Sequence, residues 1–132
     1  MKNYDLIVIG AGRAANLAVK AGKLGKKVAI IEKSKLGGTC PNRGCVPSKL
    51  IIGYAHVARA IKESKRHFID STINNIDINK IFEETNNYVS KIDPRYESRF
   101  NENVTVYRGS ASFISDKVIE VDDERLTADN IL

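Results

Sequence analysis

An apolar run that stops at a glycine turn and gives way to a helix of small residues constrains this fold more than any other feature. Residues 4–9 are short, apolar and rich in β-branched side chains, the pattern of a buried parallel strand. Gly10-Ala11-Gly12 follows as a tight turn, and residues 13–24 read as a helix in which Ala14, Ala15, Ala18, Ala21 and Gly22 allow close packing on a sheet. Gly25 supplies the stop, because glycine tolerates the left-handed conformation at a helix end. Residues 28–32 form a second buried strand, so strand, helix and strand make a right-handed crossover unit of an α/β fold.

Within that unit Gly10, Gly12 and Ala15 carry the glycine fingerprint that lets a chain approach a dinucleotide. Gly10 permits the turn, Gly12 removes the side chain that would keep a pyrophosphate away, and Ala15 keeps helix and strand close. The helix start offers free N–H groups and the positive end of the dipole. Glu32 ends the second strand 22 positions after Gly10, where a carboxylate can accept hydrogen bonds from both hydroxyls of an adenosine ribose and would repel a 2′-phosphate. The fingerprint by itself does not choose between FAD and NAD, and a glycine turn in an ordinary α/β protein gives the same pattern.

The 132 residues suffice for one domain, 1–132. The net charge is +5, but lysines 20, 23, 26, 27, 33 and 35 are scattered, without the basic run and interleaved aromatics of a nucleic-acid binder. No apolar stretch is long enough to span a membrane, and no leader pattern opens the chain. A cytoplasmic protein with no nucleic-acid or membrane partner is the expectation. In that compartment a close cysteine pair is more often catalytic or metal-binding than a structural staple.

A long helix is expected over about residues 40–65, with Pro41 in its first turn and Pro47 as a distortion. A third helix should start at Ile78, capped by Asp77, with Ile78, Ile81, Phe82, Val89 and Ile92 on one face. Asp93-Pro94 predicts a short helix with Asp93 as its cap. Residues 104–107, 112–114 and 118–121 read as short strands, Asp122-Asp123-Glu124 as a turn, and Ile131-Leu132 as the opening of a further strand.

Cys40 and Cys45 have four residues between them, a spacing that can close a small disulfide loop only if the backbone departs from a regular helix, which Gly44 and Pro47 permit. A metal site or two inert buried thiols are the competing readings. His56 and His67 show no ligand pattern with the cysteines and read as surface or packing residues. The segment Gly37-Gly38-Thr39-Cys40-Pro41-Asn42-Arg43-Gly44-Cys45-Val46-Pro47-Ser48-Lys49 closely resembles the active-site signature of the class I pyridine nucleotide–disulfide oxidoreductases, which include dihydrolipoamide dehydrogenase, glutathione, mycothione and mercuric reductases. The likeness extends over essentially the whole chain and is weakest over residues 67–99.

The resemblance implies a Rossmann-like FAD-binding domain with a parallel sheet and a small antiparallel β-meander, incomplete at the C-terminus. It implies a redox-active Cys40–Cys45 disulfide, with Cys45 against the flavin and Cys40 exchanging with a small-molecule disulfide substrate. Gly12, Arg13 and Thr39 would lie near the pyrophosphate, Glu32 on the adenosine ribose, the backbone of Ala111 at the adenine and Lys49 beside the flavin, with Gly10, Ala14, Lys33 and Gly38 as further residues of the cofactor site. NAD(P)H would donate electrons in a longer, homodimeric parent that adds nicotinamide-binding and interface domains. The ending Pro47-Ser48-Lys49 leans toward dihydrolipoamide dehydrogenase and mercuric reductase, whereas Pro41 and Arg43 depart from the usual aliphatic residues and keep a mycothione- or glutathione-type enzyme open. The chain by itself is expected not to turn over, to expose a sheet edge and an apolar face, to bind FAD weakly or not at all, and to pair with itself. A non-catalytic FAD-binding fragment is the alternative.

Overall fold

The computed structural model describes Met1–Leu132 throughout. The chain divides into two compact units, a sheet unit of Met1–Thr39 with Ile92–Leu132 and a helical unit of Cys40–Lys91.

The sheet unit holds six strands in one sheet: β1 (Lys2–Ile9), β2 (Val28–Ile31), β3 (Val104–Tyr107), β4 (Ser112–Ser115), β5 (Val118–Val121) and β6 (Glu124–Ile131), in the order β3-β2-β1-β6-β5-β4. The first four in that order run parallel, and β5 and β4 continue antiparallel from β6. Helix α1 (Ala15–Lys23) makes the crossover from β1 to β2, as expected. It ends in a Schellman motif: Gly25, at φ +79°, donates to the Gly22 carbonyl and Lys26 donates to that of Ala21. Helix α5 (Ile92–Glu97) precedes β3.

Residues 131–132 do not open a new strand. Ile131 belongs to β6, which pairs with β1 from Lys2 opposite Leu126 to Ile7 opposite Ile131, and Leu132 continues that pairing by donating to the Ile7 carbonyl and accepting from Ile9 N. The flank of β1 is therefore covered, and the sheet edges are β3 and β4. The pattern of β6 hides this because its outward positions, Glu124, Arg125, Asp129 and Asn130, are polar while Leu126 and Ala128 are buried.

Both faces of β2 are buried, which is why its sequence is continuously apolar. Val28 and Ile30 join Val8, Ala11, Ala15, Ala18, Leu36 and Val104 on the α1 side. Ala29 and Ile31 join Tyr4, Ile7, Ile119, Val121, Leu126 and Ala128, so the meander covers the opposite face. Completely buried side chains such as Ile7, Ile30, Ile31, Leu36, Ile119 and Leu126 each contribute about 1.5–3 kcal/mol. Gly22 lets α1 lie on β3: a Cβ there would stand 2.5 Å from Val104 Cγ2. The two-residue turn from β5 to β6 uses Asp122 and Asp123 at φ +44° and +63°, the twist a tight hairpin requires. The expected apolar face is present as a groove of about 480 Å³ lined mainly by Leu6, Leu17, Leu24, Ile131 and Leu132.

The helical unit corrects the single helix expected over residues 40–65. Helix α2 (Thr39–Arg43) stops at Gly44, whose φ −127° and ψ −107° no helix allows, and α3 (Cys45–Glu63) starts anew, passing into a 3₁₀ turn over Ser64–His67. Pro47 falls in the first turn of α3, where its missing N–H costs nothing, so it does not distort the helix. Helix α4 (Ile78–Ser90) starts as expected, with the Asp77 carboxylate accepting from Lys80 N at 3.0 Å. On the expected apolar face Val89 is buried, Ile81 is half-buried, and Ile78 and Phe82 remain exposed.

Candidate active site

The loop from β1 to α1 is held from several sides within the sheet unit. Gly10, at φ +93°, donates to the Ile31 carbonyl at 2.7 Å. Ala11 donates its N–H to Glu32 Oε2 at 2.8 Å, and its carbonyl accepts from Gly37 at 2.8 Å. Glu32 Oε1 accepts from Ser34 N, also at 2.8 Å. An ionised carboxylate has about four acceptor positions, so both oxygens of Glu32 keep capacity for two further hydroxyl donors.

Gly12 and Gly38 face each other. A Cβ on Gly38, which sits at φ +73°, would come within 2.9 Å of Gly12 Cα. A side chain on Gly38 would collide with the Gly12 backbone, whereas Gly12 leaves ordinary van der Waals room before Gly38, so only backbone lines this approach. Beyond the turn, Ala14 occupies the N-cap of α1 with helical φ/ψ and no side-chain cap, while Ala15 and Asn16 donate to the Gly12 and Arg13 carbonyls at 3.3 Å, a tightened first turn that leaves the positive end of the helix dipole facing the loop. Arg13 is exposed beside it. This is a backbone cradle suited to a pyrophosphate.

A cavity of about 260 Å³ continues from the cradle, lined by Ile9, Gly10, Ile31, Glu32, Lys33, Gly109, Ser110 and Ala111. Gly109 closes its far side by donating to the Glu32 carbonyl at 3.1 Å. The residues thus fit an adenosine: a carboxylate for the ribose, apolar Ile9 and Ile31 for the base, and backbone groups for its edges. Gly10, Glu32, Lys33 and Ala111 come together in this cavity, and Gly12 and Gly38 come together in the cradle.

The helical unit carries the cysteines. Cys40 and Cys45 form a disulfide with Cα atoms 4.9 Å apart. It bridges the break at Gly44, linking α2 to the first residue of α3. Both cysteines are exposed, which removes the reading of inert buried thiols, and no group of three or more His, Cys, Asp or Glu stands ready for a metal. Cys45 opens a helix of 19 residues without a side-chain cap, so its sulfur sits at the positive end of the dipole, where a thiolate is favoured. Ser48 donates its hydroxyl to the Gly44 carbonyl at 2.7 Å and steadies that turn. Lys49 is exposed one turn beyond Cys45, on the same helix face. Thr39 is exposed at the start of α2, and only this residue separates Gly38 from Cys40. His56 and His67 are both exposed, away from any ligand set.

Asp93 does not cap α5. It lies inside the helix, and its carboxylate accepts from Leu36 N at 2.9 Å and from both Nη atoms of Arg108 at 2.9 and 2.8 Å. The Arg108 guanidinium holds the Asp93 carboxyl below the usual aspartate range, with the Leu36 N–H adding to the effect. Arg108 also reaches Glu97 at 2.9 Å. Nothing in the local sequence distinguishes Asp93 from a helix cap, because its partners lie 57 and 15 positions away.

The comparisons agree with this geometry. The family model described as "Pyridine nucleotide-disulphide oxidoreductase" matches residues 4–132. A mercuric reductase of Staphylococcus aureus is 34% identical over 98% of the chain. A glutathione reductase of Schizosaccharomyces pombe is 36% identical over 92%, and a dihydrolipoyl dehydrogenase of Staphylococcus aureus 33% over 92%. The chain covers 24%, 27% and 26% of these relatives, about a quarter of their length. Among solved structures, a Cu(II) complex of the HOCl-induced flavoprotein disulfide reductase RclA from Escherichia coli aligns with a TM-score of 0.76 and 26% identity, over 99% of this chain and 28% of that one.

Proposed function

The chain belongs to the pyridine nucleotide-disulphide oxidoreductase family, and from that premise we propose that it is the FAD-binding and disulfide-bearing part of an NAD(P)H-dependent disulfide oxidoreductase. The observation that carries the proposal is the exposed Cys40–Cys45 disulfide at the uncapped start of α3, reached one residue after the glycine cradle. FAD, when bound, would accept two electrons from a nicotinamide and pass them to this disulfide.

The cradle at Gly10, Gly12, Arg13, Ala14, Gly38 and Thr39 would hold the pyrophosphate, Glu32 the ribose and the backbone of Ala111 the adenine, with Lys33 lining the same cavity. Reduction opens the disulfide to two thiols. Cys45, favoured as a thiolate by the helix dipole, is the partner of the flavin, with Lys49 on the same face as a compensating cation. Cys40 is the exchanging thiol. Its thiolate attacks one sulfur of a substrate disulfide and releases the first thiol product. Cys45 then attacks Cys40 Sγ in the mixed disulfide, which releases the second thiol and restores the Cys40–Cys45 bond. The same dithiol could instead deliver two electrons to a mercuric ion. The ending Pro47-Ser48-Lys49 supports a dihydrolipoamide dehydrogenase-like or mercuric reductase-like parent. No helix is long and apolar enough to cross a membrane. On the same reading the parent is a cytoplasmic homodimer.

Reductive titration of the chain with excess FAD tests this. Long-wavelength thiolate-to-flavin absorbance should develop in the wild type, be present without reductant in Cys40→Ser, and be absent in Cys45→Ser. A folded, flavin-loaded protein with no such band in the wild type or in Cys40→Ser would overturn the assignment.

A further inference from the structure

Loops that bind phosphate through backbone N–H groups need something else to hold their shape. In the sheet unit the segment from Glu32 to Gly38 is tied to distant parts of the chain by burial and by hydrogen bonds. Leu36 is fully buried among Val8, Ala11, Ala15, Ala18, Val28 and Ile30. Gly37 donates to the Ala11 carbonyl. Leu36 N–H donates to Asp93, whose carboxylate is in turn gripped by both Nη atoms of Arg108. The next residue after Arg108 is Gly109, which closes the adenosine cavity through the Glu32 carbonyl. One ion pair therefore ties the Gly37–Gly38 turn to the opposite rim of the cavity.

Resting on the FAD-binding reading above, we propose that Asp93 is a positioning residue: its carboxylate holds the Gly37–Gly38 turn against Gly12 in the conformation that accepts the cofactor's pyrophosphate. The tolerance there is small. Gly38 is left-handed at φ +73° and its position clears Gly12 Cα only because it has no Cβ. A backbone amide displaced by a fraction of an ångström loses much of a charge-assisted hydrogen bond to phosphate. Arg108 orients the carboxylate without touching the turn, and the Leu36 N–H needs only an acceptor at the Asp93 position.

Four substitutions separate positioning from bulk stability. Asp93→Ala removes the acceptor and the ion pair. Asp93→Asn keeps an acceptor for Leu36 and loses the charge. Asp93→Glu keeps the charge and moves the acceptor by one methylene, and it serves if the alanine variant does not fold. Arg108→Ala removes the ion pair alone. Amide exchange of the cofactor-free chain and titration with FAD are the two readouts. Asp93→Ala and Asp93→Glu should exchange Leu36, Gly37 and Gly38 about tenfold faster and bind FAD about tenfold more weakly, the size expected for one lost charge-assisted hydrogen bond. Asp93→Asn should keep near-wild-type values of both, although its melting temperature falls as that of Arg108→Ala does.

Equal loss of FAD affinity in the asparagine and alanine variants, or unchanged exchange at Leu36–Gly38 in Asp93→Ala and Asp93→Glu, would overturn the proposal. If the wild-type chain takes up no FAD at saturating concentration, the expectation of weak or absent binding by the chain alone is met in its stronger form and the FAD-binding reading fails for this chain by itself. Amide exchange then decides the Asp93 role alone: lost protection in the alanine and glutamate variants upholds it, and retained protection overturns it.

Discussion

Gly38→Ala offers the sharpest test of the cradle geometry, because two separate costs meet at that position. The first is conformational. Gly38 sits at φ +73°, and placing an L-residue in the left-handed region costs about 1–2 kcal/mol. The second is steric. The new Cβ would lie 2.9 Å from Gly12 Cα, a backbone atom that cannot rotate away. Forcing one methyl into a filled space costs about 1–3 kcal/mol. The sum is about 2–5 kcal/mol, reduced by about 0.4–1 kcal/mol because alanine narrows the unfolded ensemble.

Gly25→Ala is the control. Its φ of +79° carries the same conformational cost, but nothing lies within 4 Å of its Cβ. Urea denaturation followed by circular dichroism should therefore place Gly38→Ala below Gly25→Ala by the steric part alone, about 1–3 kcal/mol. Equality of the two within about 0.5 kcal/mol, the usual scatter of neutral substitutions, would mean that the turn has room to move. The close approach of Gly38 to Gly12 would then not be a constraint on the cradle.

Gly12→Ala should behave in the opposite way: its Cβ meets only Gly38 Cα at 3.9 Å, so stability stays near wild type while FAD affinity, read by fluorescence titration, drops because the methyl enters the pyrophosphate space. Glu32→Ala should weaken both stability and FAD binding, since it strips the acceptor from Ala11 and Ser34 N–H and from the ribose. Gly22→Ala gains about 1 kcal/mol of helix propensity but sets a Cβ 2.5 Å from Val104 Cγ2 and 2.6 Å from Asn101 Oδ1, so a net loss is expected in a thermal melt. Burial, aided by the Tyr4 hydroxyl at 2.8 Å, pushes Tyr107 up to about 12 from 10.0. A folded-state pKa above the unfolded one means that its contribution is complete below pH 10 and is lost as pH rises toward 12. Tyr107→Phe should flatten that part of an alkaline denaturation profile.

The crossover unit was legible because each of its signals is local. The apolar run before Gly10, the small residues facing β2 and the stop at Gly25 lie within one stretch and act over one helix length. The cysteine segment was legible for a different reason: the residue types between Gly37 and Lys49 match a known signature closely. The break at Gly44 was half legible. The need for a distortion follows from the spacing of the cysteines, with Gly44 and Pro47 as the two places that permit it; α3 starts at Cys45, which puts the proline in a first turn and leaves the break at Gly44.

Asp93 and β6 lie beyond that reach. Asp93-Pro94 has the local chemistry of a helix start, yet its carboxylate serves Leu36 and Arg108. Ile131-Leu132 looked like the opening of a strand but lie along one that begins at Glu124, because the rest of β6 is half polar and its partner β1 lies more than a hundred residues earlier. The sequence by itself determined the crossover, the glycine turn, the acidic residue after β2 and the close cysteine pair, since these depend on backbone freedom and residue type within short spans. Only the tertiary structure decided that β6 covers the flank of β1, that Gly12 and Gly38 meet, and that Asp93, paired with Arg108, accepts from Leu36 N beside that turn. Those depend on which distant backbone groups come within hydrogen-bonding distance, and no local pattern of side chains encodes that.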